Sequence, residues 1–345
     1  MDNLTRRQFL GRTAAAAAGA ALGSRIMATT GDKLILGSGS HKYECIHDWI
    51  TPPEGMLFGD THGLAQDSSG RIYLSHTVHQ DSKIRDGVCV YSADGKFIES
   101  WGGRFAGGSH GLDIRREPEG EFIYHCDTNK REVVKTTLDG VQVWSFTTPK
   151  EPGVYDDKHA FVPTNVAFLP DGDFALGDGY GSSYIHIYDR HGHWKKTFCG
   201  PGGDPGKVSC PHGLWLDDRD KTPLLAVADR SNRRVQYFDL DGQHVKFVTD
   251  GIYLPCHFSI RGHEILVPDL ESVVTVLDEN NKVVVHLGDG HLPNGQGSDL
   301  RGHPRKDFIP GKFIHPHDAI FLANGDILVA EWVPIGRVTL LRKVK

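Results

Sequence analysis

From about residue 60 onward the apolar positions come in runs of three to five, such as Ile72-Tyr73-Leu74, Phe122-Ile123-Tyr124, Ile265-Leu266-Val267 and Ile327-Leu328-Val329. Asp-Gly and other glycine-containing turns separate them. That is the pattern of short buried strands, not of helices. The runs fall into six units. Each opens with a short strand, turns into an apolar strand that often closes on Asp, and adds two further strands about a second turn. The openings are His62-Gly63-Leu64, His110-Gly111-Leu112, Pro163-Thr164-Asn165-Val166, Pro211-His212-Gly213-Leu214, Pro255-Cys256-His257-Phe258 and Pro316-His317-Asp318-Ala319. The closing aspartates Asp127, Asp178 and Asp229 recur at a step of 51.

Repeats of this length with four strands each mean propeller blades. One blade cannot bury both its faces, so six must pack around a shared axis. The expected fold is all-β, a six-bladed β-propeller. The sixth unit has only three strands before Lys345, and the segment from Tyr43 to Ile50 has no unit of its own. That N-terminal segment is expected to supply the missing strand and close the ring, which removes an open sheet edge. Gly288 to Lys312 is expected to form a long loop between blades five and six, a length often tied to function.

The first residues do not fit the repeat. Thr5-Arg6-Arg7-Gln8-Phe9-Leu10 precedes an alanine-rich run from Ala14 to Ala21. This reads as a twin-arginine export signal, too short and weakly apolar to span a membrane. The expected organisation is a signal peptide over residues 1–30, cleaved between about Ala21 and Thr30, and a propeller over 31–345. The expected location is the periplasm or the medium, with no membrane span in the mature protein.

Composition adds little until histidine is counted. Hydrophobic residues at 39% and charged residues at 24% suit an ordinary soluble protein. A net charge of −6 leaves no basic footprint for nucleic acid. Histidine, however, numbers 20, and imidazole is the commonest metal ligand. The six cysteines contain no CxxC pair, which argues against a cysteine zinc knuckle. Cys199 and Cys210 flank a Gly/Pro loop and are open to two readings, a disulfide or buried thiols.

Equivalent positions in different blades lie on a ring about the axis. Here those positions are His62, His110, Thr164, His212, Cys256 and His317. Blades two, four and six set His110, His212 and His317 about a third of a turn apart. Three converging imidazoles with one open position make a catalytic metal site. Tyr180 and Arg230, at the second-strand ends of blades three and four, point to the same end. They are expected to act as base and charge stabiliser, with nearby cations lowering the tyrosine's proton affinity.

These motifs resemble the peptidyl-α-hydroxyglycine α-amidating lyases, six-bladed propellers built of NHL repeats. The matching segments are Ser109-His110-Gly111-Leu112, Pro163-Thr164-Asn165-Val166 with Asp178-Gly179-Tyr180, Pro211-His212-Gly213-Leu214 with Ala228-Asp229-Arg230, and Pro316-His317-Asp318. The resemblance implies a catalytic Zn2+, or another transition metal, on His110, His212 and His317. It implies Tyr180 as base and Arg230 lining the site. It also implies a structural Ca2+ held by the carbonyls of Leu64 and Leu112 and by Asp318. Two positions depart from the family pattern. An arginine expected in blade one is Thr77, beside His76, with Arg85 in the following loop. A methionine expected before the blade-six histidine is His315. The substrate pocket is therefore expected to use His76, Thr77, Arg85 and His315, with His79 nearby.

The resulting expectation is an exported, metal-dependent lyase that cleaves the C–N bond of a carbinolamide or another small or peptide substrate, acting as a monomer. The alternative is a propeller that only binds a protein or small-molecule partner. A calcium-dependent lactonase of similar shape would need carboxylates on the axis, where imidazoles predominate.

Overall fold

A computed structural model describes residues 33–291 and 298–345. The twin-arginine signal and the 1–30 boundary lie outside these described residues. The strands form six antiparallel sheets. Blade one contains Thr61–Gln66, Ile72–His76, Val88–Tyr91 and Phe97–Trp101. Blades two to five repeat this order from Ser109–Glu117, Asn165–Phe168, Pro211–Asp217 and Ser259–Arg261. The chain is a six-bladed β-propeller.

Blade six closes the ring as expected. Its own strands are Pro316–Phe321, Ile327–Glu331 and Arg337–Lys343, and His41–Ile50 pairs antiparallel with the last of them. A further strand, Ile35–Ser38, adds a fifth edge that the repeat did not predict. The long segment before blade six carries two short 3-10 turns, Ser298–Gly302 and Arg305–Asp307.

Burial follows from the radial arrangement. The second and third strands of blade one are wholly buried, while its outermost strand is half solvated. Six apolar clusters fill the six joints between blades. At the closing joint, Leu74, Cys89 and Tyr91 of blade one meet Leu328, Ala330 and Val338 of blade six. Each fully buried Leu or Val there is worth about 1.5–3 kcal/mol. The closure therefore rests on packing as well as on strand pairing.

Where the chain enters a blade near the axis, the ladder slips. One extra residue lies between Thr61 and Leu64, between Ser109 and Leu112, between Pro211 and Leu214, and between Pro316 and Asp318. These bulges hold His62, His110, His212 and His317. A bulge bends its strand and re-aims a side chain, and here it turns each imidazole onto the axis.

Candidate metal centre

All six ring positions line one axial cavity. The rings of His110, His212 and His317 form a nearly equilateral triangle, with centroids 4.8, 4.8 and 4.7 Å apart. Each is held from behind. His110 Nδ1 donates to the Thr164 carbonyl at 2.8 Å, His212 Nδ1 to the Cys256 carbonyl at 2.8 Å, and His317 Nδ1 to the His62 carbonyl at 3.4 Å. Each carbonyl belongs to the ring residue of the next blade. Because a carbonyl only accepts, Nδ1 carries the proton and Nε2 presents a lone pair to the axis.

The glycine of each His-Gly pair has a steric reason. A Cβ on Gly111 would stand 2.3 Å from the Thr164 carbonyl, and one on Gly213 would stand 2.2 Å from the Cys256 carbonyl. These are the carbonyls that orient His110 and His212. Only glycine lets the neighbouring blade come close enough to offer them.

The front of the triangle is charged with lone pairs. His110 Nε2 and His212 Nε2 face each other at 3.2 Å. Two unprotonated nitrogens at that distance repel unless a cation or a donated proton lies between them. Tyr180 Oη sits 3.3 Å from the first and 3.0 Å from the second, and its single proton satisfies only one. Burial holds His110 down to about 3. Burial also pushes His62, His212 and His317 well below the usual histidine range, with neighbouring imidazoles and Arg230 adding to the effect. The cluster is neutral at pH 7, the form in which imidazole binds metal. The ligand atoms of His62, His110 and His317 lie within 4.8 Å of one another, as do those of His212, Cys256 and His317, and such nitrogen and sulfur donors fit a transition ion.

Tyr180 and Arg230 do converge. Arg230 lies 5.1 Å over the Tyr180 ring, its Nη1 reaches Tyr180 Oη at 3.4 Å, and its Nη2 reaches Cys210 Sγ at 3.2 Å. Asp178 fixes the turn that carries Tyr180, accepting the amides of Val162 and Ser182 at 2.6 and 2.7 Å. Gly179 is obligatory in that turn, since a Cβ would lie 2.6 Å from the Pro211 carbonyl. Arg230 lowers the proton affinity of Tyr180 as a nearby cation should. The residue stays 42% exposed, yet burial pushes its phenol up to about 12, and Arg230 only partly opposes that.

The pocket residues read from the two departures each have partners of their own. His76 is fully buried; its Nδ1 accepts the Gly59 and Val78 amides and its Nε2 faces Cys89 in the blade-one core. Thr77 Oγ1 accepts the Asp60 amide, and Arg85 reaches back to the His79 carbonyl. His315 donates to the Leu270 carbonyl and leans on Trp332. None of the four lines the axial cavity. Sequence reading missed Arg301, in the loop before blade six. It stacks 3.6 Å from the Trp332 ring, pairs with Asp60 at 2.7 Å, and lowers the proton affinity of His62 and His315. No periodic signal marks such a loop residue. All six cysteines are thiols.

The calcium ligands are also differently employed. Asp318 Oδ2 accepts the Leu64 amide at 2.7 Å, and Asp318 Oδ1 meets His257 Nδ1 at 2.6 Å. His257 Nε2 faces Asn165 Oδ1 at 3.1 Å, and Asn165 donates to Asp113 at 3.0 Å. The carboxylates of Asp318 and Asp113 hold His257 up to about 9 against its burial, so a cation is already present. Calcium takes six to eight oxygens. An imidazole between the carboxylates does not fit it.

No family model matches the chain. It is 25% identical over 323 residues to peptidyl-alpha-hydroxyglycine alpha-amidating lyase 1 of Drosophila melanogaster, covering 82% of this chain and 57% of that protein. A probable peptidyl-alpha-hydroxyglycine alpha-amidating lyase of Caenorhabditis elegans is 27% identical over 201 residues, or 52% of this chain and 55% of that one. The chain thus spans little more than half the length of these relatives. Among solved structures, a gluconolactonase of Xanthomonas campestris shares the fold, with a TM-score of 0.59, 13% identity, and coverage of 90% of this chain and 95% of that one.

Proposed function

We propose that this chain is a metal-dependent lyase that cleaves the C–N bond of a carbinolamide, with peptidyl-α-hydroxyglycines as the substrate class. The observation that carries this reading is the triangle of back-anchored imidazoles, whose lone pairs face Tyr180 Oη with Arg230 behind it. The names of the fly and worm relatives support the reaction class.

In this reading His110, His212 and His317 hold zinc or another transition ion through Nε2. Such an ion supplies Lewis-acid polarisation of a substrate oxygen and, as a nearby positive charge, draws the Tyr180 phenol toward ionisation. Tyr180 Oη takes the proton of the substrate hydroxyl. The carbon–oxygen bond becomes a carbonyl as the carbon–nitrogen bond breaks. The departing amide nitrogen takes the proton, so the net reaction yields an amide and an aldehyde with no acid or base consumed. Arg230 steadies negative charge on the oxygen where it builds. Arg301 offers a cation on the blade-one side, where Thr77 offers none.

Elemental mass spectrometry of protein purified without chelators tests the reading. About one equivalent of a transition ion is expected, absent from a His110→Ala/His212→Ala variant. Tyr180→Phe is expected to keep the metal and lose roughly 10²–10⁴ in kcat on an α-hydroxyglycine peptide. A protein that contains no metal and refuses reloading would replace this reading with a propeller that only binds a partner. The proposal includes export by the twin-arginine route and a monomeric state. Retention of an Arg6→Lys/Arg7→Lys variant in the cytoplasm checks the first, and sedimentation checks the second.

A further inference from the structure

The ring of six holds a fourth imidazole that the three-histidine reading leaves idle. His62 is buried in blade one, between blades six and two. Its ring centroid lies 4.5 Å from that of His317 and 4.7 Å from that of His110. The other three axial histidines spend Nδ1 on the carbonyl of the next blade. His62 does not. The carbonyl that would anchor it, on His110, accepts the Ser75 hydroxyl at 2.7 Å instead. The same hydroxyl accepts the Gly63 amide at 2.8 Å. Ser75 thus frees the imidazole of His62, which turns Nδ1 onto the axis, 3.3 Å from His317 Nε2.

That distance is meaningful. Four nitrogens at tetrahedral metal–nitrogen distances lie about 3.3 Å apart along each edge. His62 Nδ1 to His317 Nε2 is 3.3 Å, and His110 Nε2 to His212 Nε2 is 3.2 Å. Each pair therefore has the spacing of two nitrogens that share one ion. The ligand nitrogens of His62, His110 and His317 also lie within 4.8 Å of one another. The Cys256 sulfur lies within 4.8 Å of the ligand nitrogens of His212 and His317, and it also meets the Leu254 carbonyl and Arg230, each at 3.8 Å.

We propose that His62 is a fourth imidazole ligand, joining His110, His212 and His317 around one transition ion. This rests on the metal reading above and deepens it. Three imidazoles leave an open position on a four-coordinate ion; four imidazoles fill it. A substrate oxygen then enters as a fifth ligand, on the Tyr180 side, or displaces His62. Imidazole nitrogens suit zinc, copper, iron and nickel alike, so the metal is read from loading rather than from the donor type.

X-ray absorption on protein loaded with one equivalent of Cu2+ or Zn2+ counts the coordinated imidazoles, and calorimetry gives the affinity. Four imidazoles are expected in the native protein and three in His62→Gln, with affinity at least tenfold weaker. His62→Ser serves if the glutamine variant folds poorly, and thermal melting of the metal-free variants reports folding. Three imidazoles in both native and variant, at equal affinity, would overturn the role of His62 and leave the three-histidine centre standing. Failure of the native protein to take up either ion would overturn both.

Discussion

Two layers of side chains line the propeller axis, the second drawn largely from the residues that follow the ring positions of blades three, five and six, and they have opposite electrostatics. The first holds His62, His110, His212 and His317, all kept neutral by burial. The second holds Asn165, His257 and Asp318, with Asp113 alongside, and its single imidazole is kept charged by two carboxylates. Both layers are buried. What differs is the partner. Where histidines meet histidines and backbone carbonyls, desolvation wins and lone pairs face inward. Where a histidine meets carboxylates, the charge survives and the layer is complete in itself. One layer turns imidazole lone pairs to the axis; the other already contains a cation.

The sharpest way to break this comparison is to remove the internal cation. His257→Ala leaves Asp113 and Asp318 facing each other in a buried space. Deleting one partner of a buried pair costs about 3–5 kcal/mol. Urea unfolding should show a loss of that size, with metal content retained. His212→Ala should do the reverse. It removes a ligand and relieves lone-pair repulsion at 3.2 Å. Metal affinity should fall at least about 100-fold, since even outer partners of ligands are worth 10–100-fold, while the metal-free protein melts close to wild type. Equal destabilisation by both variants would mean that the two layers are alike.

The charge on His257 also has a pH signature. Its folded pKa, about 9, lies above the ordinary 6.5. Its stabilisation is therefore complete below about pH 6.5 and is lost as pH rises through 9. Asp113 is raised to about 7, chiefly by burial, so its deprotonation weakens the fold in the same direction at lower pH. The axial imidazoles, lowered rather than raised, act in the opposite sense, adding stability as pH rises until it has passed the ordinary 6.5. Between pH 7 and 9 stability should fall in the wild type and stay nearly flat in His257→Gln, followed by thermal melting. A flat wild-type profile would show that His257 is neutral.

Much of this was legible in the sequence because a propeller repeats itself. The six openings placed six residues on one ring, and counting strands assigned Tyr43 to Ile50 to the last blade. Tyr180 and Arg230 were legible for the same reason, since each follows within two residues the aspartate that closes a second strand, Asp178 or Asp229. What was not legible depends on register and loops. The bulges that turn the histidines inward leave no mark on the apolar pattern. His76 was read as a pocket residue, but Phe58, from a connection outside the repeat, covers it at 4.9 Å between ring centroids. Arg301 comes from a loop of no period. His257 looked like one more blade-opening residue; only Asp113 and Asp318, from two other blades, make it a cation.

The smallest expected effect is that of calcium. A hard-cation site needs oxygens that the protein has left unengaged. Here Asp318 already has the Leu64 amide on one oxygen and His257 on the other. To bind calcium, the channel would have to eject a charged imidazole and break both contacts, and the ion would gain few oxygens in exchange. A calcium-selective chelator should therefore leave the melting temperature unchanged, and added calcium should not raise it. A transition-metal chelator should strip the upper layer and lower the melting temperature, because an ion that binds only the folded state stabilises it by mass action. If calcium raised the melting temperature of His257→Ala but not of the wild type, the imidazole would be identified as the group that fills the cation's place.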